Sequence, residues 1–477
     1  VPKHKLPLII GNLSVSVLSF TSAIAHFIMK VIQALARYFP DNCGGIQTNL
    51  EDLLPELHSH DIDIQIAAAK LGLKEESYKY NGVEVYRYPV FPTPKAEPNH
   101  GQFFHGKFEY FANWLASRKA DIYHQHHWEV SCGLPHLRLA KGLGMATVVT
   151  VHYPRPLCQR TTLMFDGHRD CDGKIDVVRC SKCADSLSRN LSDAMVKNLS
   201  HLPLDIVSRL PLPESAYLPS SSNAGRLGKF ARPFVVPSYA IARQESLLEM
   251  AHFADRIVVV CDWLYKALLI NGVSKEKLVL SRHGISCTAQ EPPSKKQQSA
   301  SLKVAFLGRW DVHKGIDILV QAVKNLPSFV NIKLDIYGIT QDERYRQQIV
   351  ELIDSDRRIR INDQLNRIEV SKTLANYDLL AVPSQYMETG PIVVLEAHSQ
   401  GVPVIGSHLG GIAELVKHGV DGWLVAANDT KAWTQAFERL ATDANLLREL
   451  RKNIRPVRSV AAQAADLVAL YKSLNKS

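Results

Sequence analysis

A chain of 477 residues exceeds what one ordinary hydrophobic core organises, so two domains of roughly 200 residues each are expected. With 46% apolar and 22% charged residues the composition excludes disorder, and eight cysteines spread along the chain exclude a small disulfide-framed scaffold. The formal net charge of +9 calls for an anionic partner, such as phosphate groups or an acidic membrane leaflet; with no helix-turn-helix, RNA-binding or zinc-finger signature, nucleic acid is not expected.

Residues 1–28 set Lys3 and Lys5 before a largely apolar run that Asn12, several serines and His26 interrupt. That makes a poor membrane span, so the segment reads as an extension outside the fold, with a signal anchor or a structural segment as alternatives. From Met29 short β-branched runs alternate with helical ones: KVIQALA, IQTNLEDLLPEL, IDIQIAA, VEVYRYPV, DIYHQHHW, a helix near 133–143, and ATVVTVHY. A second series runs through LKVAFLG, GIDILVQAVKNL, IKLDIYG, DLLAVPS, PIVVLEAHSQ, VPVIGS and GWLVAA. This rhythm predicts an α/β chain of two doubly wound, Rossmann-like domains whose strand ends face a shared cleft.

Pro, Ser and Gly make 213–233 a flexible loop within the first domain, and the polar stretch 286–301 with its paired prolines is the expected hinge. The expected division is an extension over 1–28, a first Rossmann-like domain over 29–290 with a cysteine-rich insert at 158–183, a second Rossmann-like domain over 300–458, and a last helix over 459–477 that can pack back on the first domain.

The most informative stretch is METGPIVVLEAHSQG, 387–401, which puts Glu388 and Glu396 on either side of Gly390 and Pro391. Proline as the first residue of a helix loses no hydrogen bond, and Gly390 lets the backbone approach a ligand. The free N–H groups at that helix start make an anion site at Gly390, Pro391 and Ile392. The two carboxylates bracket it, each able to accept hydroxyl hydrogen bonds, a layout that suits ribose, diphosphate and sugar in turn. A solvated loop glutamate and a surface helix glutamate are the plain alternative. Upstream, FLGRWDVHKGIDILV places Arg309 and Lys314 in a strand-to-helix loop where two fixed cations can hold a diphosphate; it is not a Walker loop. In FPDNCGGIQ, Gly44 and Gly45 stand between the first strand and first helix without the third glycine of a dinucleotide fingerprint, and read either as a tight turn or as phosphate-facing N–H donors.

These motifs, with the run GVPVIGSHLGGIAELVKHGVDGWLV and in this order, resemble the family-4 retaining glycosyltransferases of the GT-B fold, strongly over 300–430 and loosely in the first domain. The resemblance implies a retaining enzyme moving a sugar from a nucleotide-diphosphate sugar to a hydroxyl of a glycan or lipid-linked acceptor, in cell-surface polysaccharide or glycolipid synthesis. It implies that Arg309 and Lys314 hold the diphosphate in place of a catalytic metal. Glu396 would take the ribose and Glu388 the transferred sugar and reacting face, while Gly390, Pro391 and Ile392 grip phosphate and Gly44 and Gly45 close from the other domain. His152 in VVTVHYP occupies the place of a family histidine facing the donor sugar, although Tyr153 stands where an acidic residue often follows. A cytoplasmic protein, peripheral at an anionic inner membrane face, fits the family's habits and the basic charge. A noncatalytic nucleotide-sugar-binding protein of the same fold is the alternative, and it would be marked by loss of one of these side chains.

After His152, Cys158, Cys171, Cys180 and Cys183 form a C-x12-C-x8-C-x2-C set whose last pair has zinc-knuckle spacing. Structural zinc, with His168 as a substitute ligand, stands beside disulfide pairing and free thiols. Four thiolates leave no open position, so a catalytic zinc is not expected.

Overall fold

The computed structural model describes residues 29–41, 44–92, 104–202, 226–286, 301–340 and 342–475. The extension at 1–28, Cys43, Cys287 and most of the expected hinge lie outside the described residues.

The first sheet has eight strands: β1 (Met29–Leu35), β2 (Ile62–Leu71), β3 (Glu76–Tyr80), β4 (Val83–Val90), β5 (Ile122–Gln125), β6 (Ala146–Val151), β9 (Arg256–Val259) and β10 (Leu278–Leu280). The order β10-β9-β6-β5-β1-β2-β4-β3 is parallel except for β3, which returns antiparallel on β4 at the edge. β7 (Met164–Phe165) and β8 (Arg169–Asp170) form a separate small hairpin within the cysteine-rich insert. The second sheet, β11 (Leu302–Leu307), β12 (Ile332–Tyr337), β13 (Ile359–Asn362), β14 (Leu379–Val382), β15 (Val404–Ser407) and β16 (Gly422–Val425), runs β13-β12-β11-β14-β15-β16 and is wholly parallel. That is the 3-2-1-4-5-6 order, with its reversal between β11 and β14.

Most strands read as near-continuous apolar runs because helices cover both faces, the partly exposed edge strands β3 and β13 being the exceptions. In β11 all but Lys303 is wholly or partly buried, and β14 is buried throughout. One core of the second lobe gathers Val304, Phe306, Leu319, Trp433 and Phe437; the first lobe keeps one core on each face of its sheet. The helix Val460–Leu474 follows the second lobe in sequence yet buries Leu467, Val468 and Tyr471 against the first, beside Leu50, Leu53 and Leu57 of the helix Gly45–His58. The chain thus crosses between lobes twice, and the crossings are tied together: Ile285 N donates to Arg458 O at 3.1 Å and Val460 N to Ile285 O at 2.9 Å. Gly284 permits this approach, since a Cβ there would stand 2.2 Å from Ser459 O.

Two local expectations are corrected. The predicted loop over 213–233 gives way at its end to a helix, Arg226–Phe253, which continues through Pro233 and Pro237. Tertiary packing outweighs the proline penalty there, because Val235, Val236, Tyr239 and Leu247 are fully buried along it. Pro391 is the cap and not the first helical residue: its ψ of 120 is extended, and the helix is Ile392–Ser399. A proline with φ of −66 fits either position, and the tight turn from Gly390 decides for the cap.

Candidate active site

Where strand order reverses, the carboxyl ends of two neighbouring strands open a crevice. In the second lobe these ends are Gly308–Arg309 after β11 and Pro383–Ser384 after β14. Asp311 caps the short turn Val312–Lys314, and Gly315 at φ +68 starts the helix Ile316–Lys324, so the backbone throws Lys314 towards the β14 end. There Lys314 Nζ donates to Glu388 Oε1 at 2.6 Å, and Ser384 Oγ donates to the same oxygen at 2.7 Å. The lysine also lies 5.2 Å from the centre of the Tyr386 ring.

Burial works against both charges of this pair, yet their mutual attraction prevails. The Glu388 carboxyl is held below the usual carboxylate range by Lys314, Ser384 and Tyr386, and the Lys314 ammonium is held above its ordinary value by Glu388 and Tyr386. Arg309 differs: it is exposed and makes no hydrogen bond or ion pair with another described residue. The loop therefore offers one neutralised cation and one free one.

Gly390 has φ +139, a conformation open to glycine, and a Cβ there would find nothing nearer than His283 Cδ2 at 4.0 Å, so the space beside it is clear. The opposite wall is the start of the helix Gly45–His58. Gly44 caps it with no side-chain hydrogen bond and no acidic residue in its first turn, and a Cβ on the exposed Gly45 would lie 3.8 Å from Ile392 Cδ1. Two helix starts, one from each lobe, thus converge with their first N–H groups unclaimed by side chains.

Glu396 sits half-buried on the helix behind this opening, and no described residue donates to its carboxyl. Burial pushes it up to about 7, with Arg367 opposing and Asp52 adding to the rise. A carboxyl whose folded pKa lies above its unfolded value is stabilising while protonated, and that contribution is lost as pH rises from about 4.5 through about 7. Glu396→Gln removes the loss. The variant is expected to match the wild type at pH 4.5 and to exceed it at pH 8, by at most about 3 kcal/mol. Urea denaturation at both values checks this, and a difference independent of pH would rule out a raised carboxyl.

His152 ends β6 and is buried at the lobe boundary, where its carbonyl accepts from Thr389 Oγ1 at 2.6 Å. Its ring stacks on His283 with centroids 5.6 Å apart, and burial, with neighbouring histidines adding to the effect, pushes it well below the ordinary histidine range. It is a neutral imidazole.

Several contributors escaped the sequence reading. Ser384 and Tyr386 hold Glu388, and the first lobe holds the loop: Trp263 Nε1 donates to Glu388 O at 3.0 Å and Met387 N to Thr162 O at 3.0 Å. Glu414 of the second lobe accepts from the amides of Asp262 and Trp263 at 2.9 and 2.8 Å and from Arg282 at 2.8 Å, so it caps a first-lobe helix. Arg367 reaches back to Glu51 and Asp52. A signal for Ser384 existed in the strand-end position of VPSQY. The cross-lobe contacts left none, because they join residues more than a hundred positions apart.

Cys158, Cys171, Cys180 and Cys183 all line one cavity between the insert and the helix Arg226–Phe253. His168 is not among its lining residues. Asp166 N donates to Cys183 Sγ at 3.3 Å, and burial raises the thiols of Cys171, Cys180 and Cys183. No disulfide joins the four, and no group of three or more His, Cys, Asp and Glu among the described residues is arranged to hold a metal ion.

Two Rossmann-like lobes that close over a cation loop and paired helix starts define a GT-B glycosyltransferase architecture. Residues 289–457 match the family model described as glycosyl transferases group 1, and residues 44–195 match the glycosyl transferase 4-like domain. The chain thus carries a glycosyl transferases group 1 domain and a glycosyl transferase 4-like domain. Among curated relatives it is similar to the putative colanic acid biosynthesis glycosyltransferase WcaL of Escherichia coli, 29% identical over 40% of this chain and 49% of the relative. It is also similar to the D-inositol 3-phosphate glycosyltransferase of Corynebacterium efficiens, 33% identical over 35% of this chain and 42% of the relative. The chain thus spans about half the length of the curated relatives it matches. Among solved structures, HepE of Anabaena in complex with UDP and glucose superposes with a TM-score of 0.59 at 13% identity, covering 93% of this chain and 100% of that one. Sucrose-phosphate synthase of Thermosynechococcus elongatus gives 0.62 at 18%, covering 93% and 99%. These likenesses establish the fold.

Proposed function

We propose that the protein transfers a sugar from a nucleotide-diphosphate sugar to a hydroxyl of a glycan or lipid-linked acceptor, with retention at the anomeric carbon. The observation that carries this reading is the free Arg309 guanidinium in the same strand-to-helix loop as Lys314, which is locked to Glu388, at the strand-order reversal of the second lobe. Breaking the anomeric bond leaves an oxocarbenium-like sugar and adds negative charge to the departing nucleoside diphosphate. Fixed cations and unclaimed helix N–H groups aimed at that charge lower the barrier without reorganising as it develops. Arg309 and Lys314 thereby take the part a divalent metal would play, and Glu388 meets the sugar face.

The ligands bound by HepE, UDP with glucose and UDP-glucose, favour a UDP-sugar donor. The names of WcaL and of WaaG, which is involved in lipopolysaccharide biosynthesis, favour an envelope glycan or glycolipid as acceptor. No helix among the described residues is long and apolar enough to cross a membrane, so contact with a lipid-linked acceptor would be peripheral, through basic side chains. Incubation with a panel of nucleotide sugars tests the reading. Slow release of nucleoside diphosphate without acceptor is expected from at least one of them; failure to bind or cleave any would reject the proposal.

A further inference from the structure

Behind His152 lies a row of polar side chains that the transfer chemistry does not explain. β5 carries His124, and His126 follows directly after its end, with the two rings stacked at 4.3 Å. Both are buried, as are Gln33 of β1 and Tyr471 of the last helix. Such groups cost about 1–3 kcal/mol each when left unpaired in an interior, and here almost every one is paired.

The pairing has a direction. Gln33 Nε2 donates to Tyr471 Oη at 3.1 Å, so the tyrosine hydrogen is free to donate to His124 Nδ1 at 2.6 Å. His124 then carries its proton on Nε2 and donates to Thr150 Oγ1 at 2.7 Å. On the other side Gln33 Oε1, which can only accept, lies 2.7 Å from His126 Nε2; that nitrogen must carry the proton. His126 Nδ1 is left as an acceptor, 3.0 Å from His152 Nε2, which must therefore donate. The last atom in line is His152 Nδ1, a buried lone pair with no partner among the described residues. The rings are neutral, as this chain requires: burial pushes His124 down to about 3 and holds His126 and His152 well below the histidine range.

We propose that Gln33, Tyr471 and His126 are positioning residues that fix the proton of His152 on Nε2 and so hold its Nδ1 lone pair as the acceptor for a hydroxyl of the bound donor sugar. The hydroxyl part of this inference rests on the sugar-transfer reading; the tautomer part does not. The orphaned Nδ1 sits at the lobe boundary, in a residue whose carbonyl already binds Thr389 beside the open space at Gly390. Because Tyr471 belongs to the helix that returns from the second lobe, the relay also links that helix's docking to the donor site.

Nitrogen-15 NMR of histidine-labelled full-length protein, with His152 assigned by its loss in His152→Gln, tests the tautomer at pH 7. A protonated Nε2 and bare Nδ1 are expected. A protonated Nδ1, which corresponds to the Gln33 amide turned by 180°, or a rapidly exchanging mixture, would overturn the proposal whatever the protein's function. Gln33→Leu supplies the second readout with UDP and UDP-glucose as probes: UDP affinity within twofold of wild type and UDP-glucose cleavage lowered at least tenfold. Unchanged cleavage in the variant refutes the relay, whereas wild-type protein that binds no UDP refutes the UDP-sugar reading and leaves the NMR result to decide the tautomer.

Discussion

Arg309→Ala is expected to lower the release of nucleoside diphosphate from a nucleotide sugar by roughly 100- to 1000-fold, the usual loss for one preorganised group facing developing charge. Its melting temperature should stay within a degree or two of wild type, since an exposed side chain with no partner among the described residues contributes within about 0.5 kcal/mol of nothing to stability. The asymmetry of the loop explains why the effect falls on this residue. Lys314 carries the same formal charge, but Glu388 at 2.6 Å cancels most of its field at the site, whereas Arg309 is uncompensated and offers a planar fork to two phosphate oxygens. Arg309→Lys keeps the charge and loses the fork, so it should recover only part of the rate. Steady-state cleavage of UDP-glucose beside a thermal melt measures both quantities. A variant that turns over like the wild type would remove Arg309 from the reaction, and one that melts far below it would show a structural role instead.

Much of this was legible in the sequence, for a physical reason: parallel strands buried on both faces are apolar runs, and the helices between them are amphipathic, so most strands of both sheets could be read from period alone, while the short or exposed edge strands β3, β10 and β13 could not. The cation loop and the glycine-proline helix start were legible too, because a chain that must bind an anion at a strand-to-helix turn has few residue types to choose from. What could not be read was how side chains of opposite lobes meet. Lys314 reads as a cation for phosphate, yet in the fold it is first an ion-pair partner for Glu388, 74 residues on. YHQHHW shows three histidines near a strand end, but only the β1–β5 pairing sets Gln33 opposite His124, from where its side chain reaches His126 and gives the row a proton direction. The cysteine spacing matched a zinc knuckle, and it is the fold of the insert that brings all four thiols, up to 25 positions apart in sequence, to the lining of one cavity.

The ion pair itself carries the second large effect. Lys314→Ala leaves the Glu388 carboxylate buried with two hydroxyl neighbours and no counter-charge, and breaking a buried pair from one side costs about 3–5 kcal/mol. Urea denaturation near pH 7 should show that loss. Adding Glu388→Gln to the same chain removes the stranded charge and is expected to restore most of the stability without restoring turnover, since a neutral amide can keep the Ser384 hydrogen bond. Glu388→Gln alone frees the Lys314 ammonium from its partner; UDP should then bind as tightly as in wild type or more tightly, while cleavage of the sugar falls. That split separates two jobs that meet in one carboxylate: holding the lysine in place before the donor arrives, and facing the sugar once it has. Loss of less than about 1 kcal/mol in Lys314→Ala would mean that the pair is solvated in solution, and Glu388 would then have no need of Trp263 from the other lobe to hold its loop.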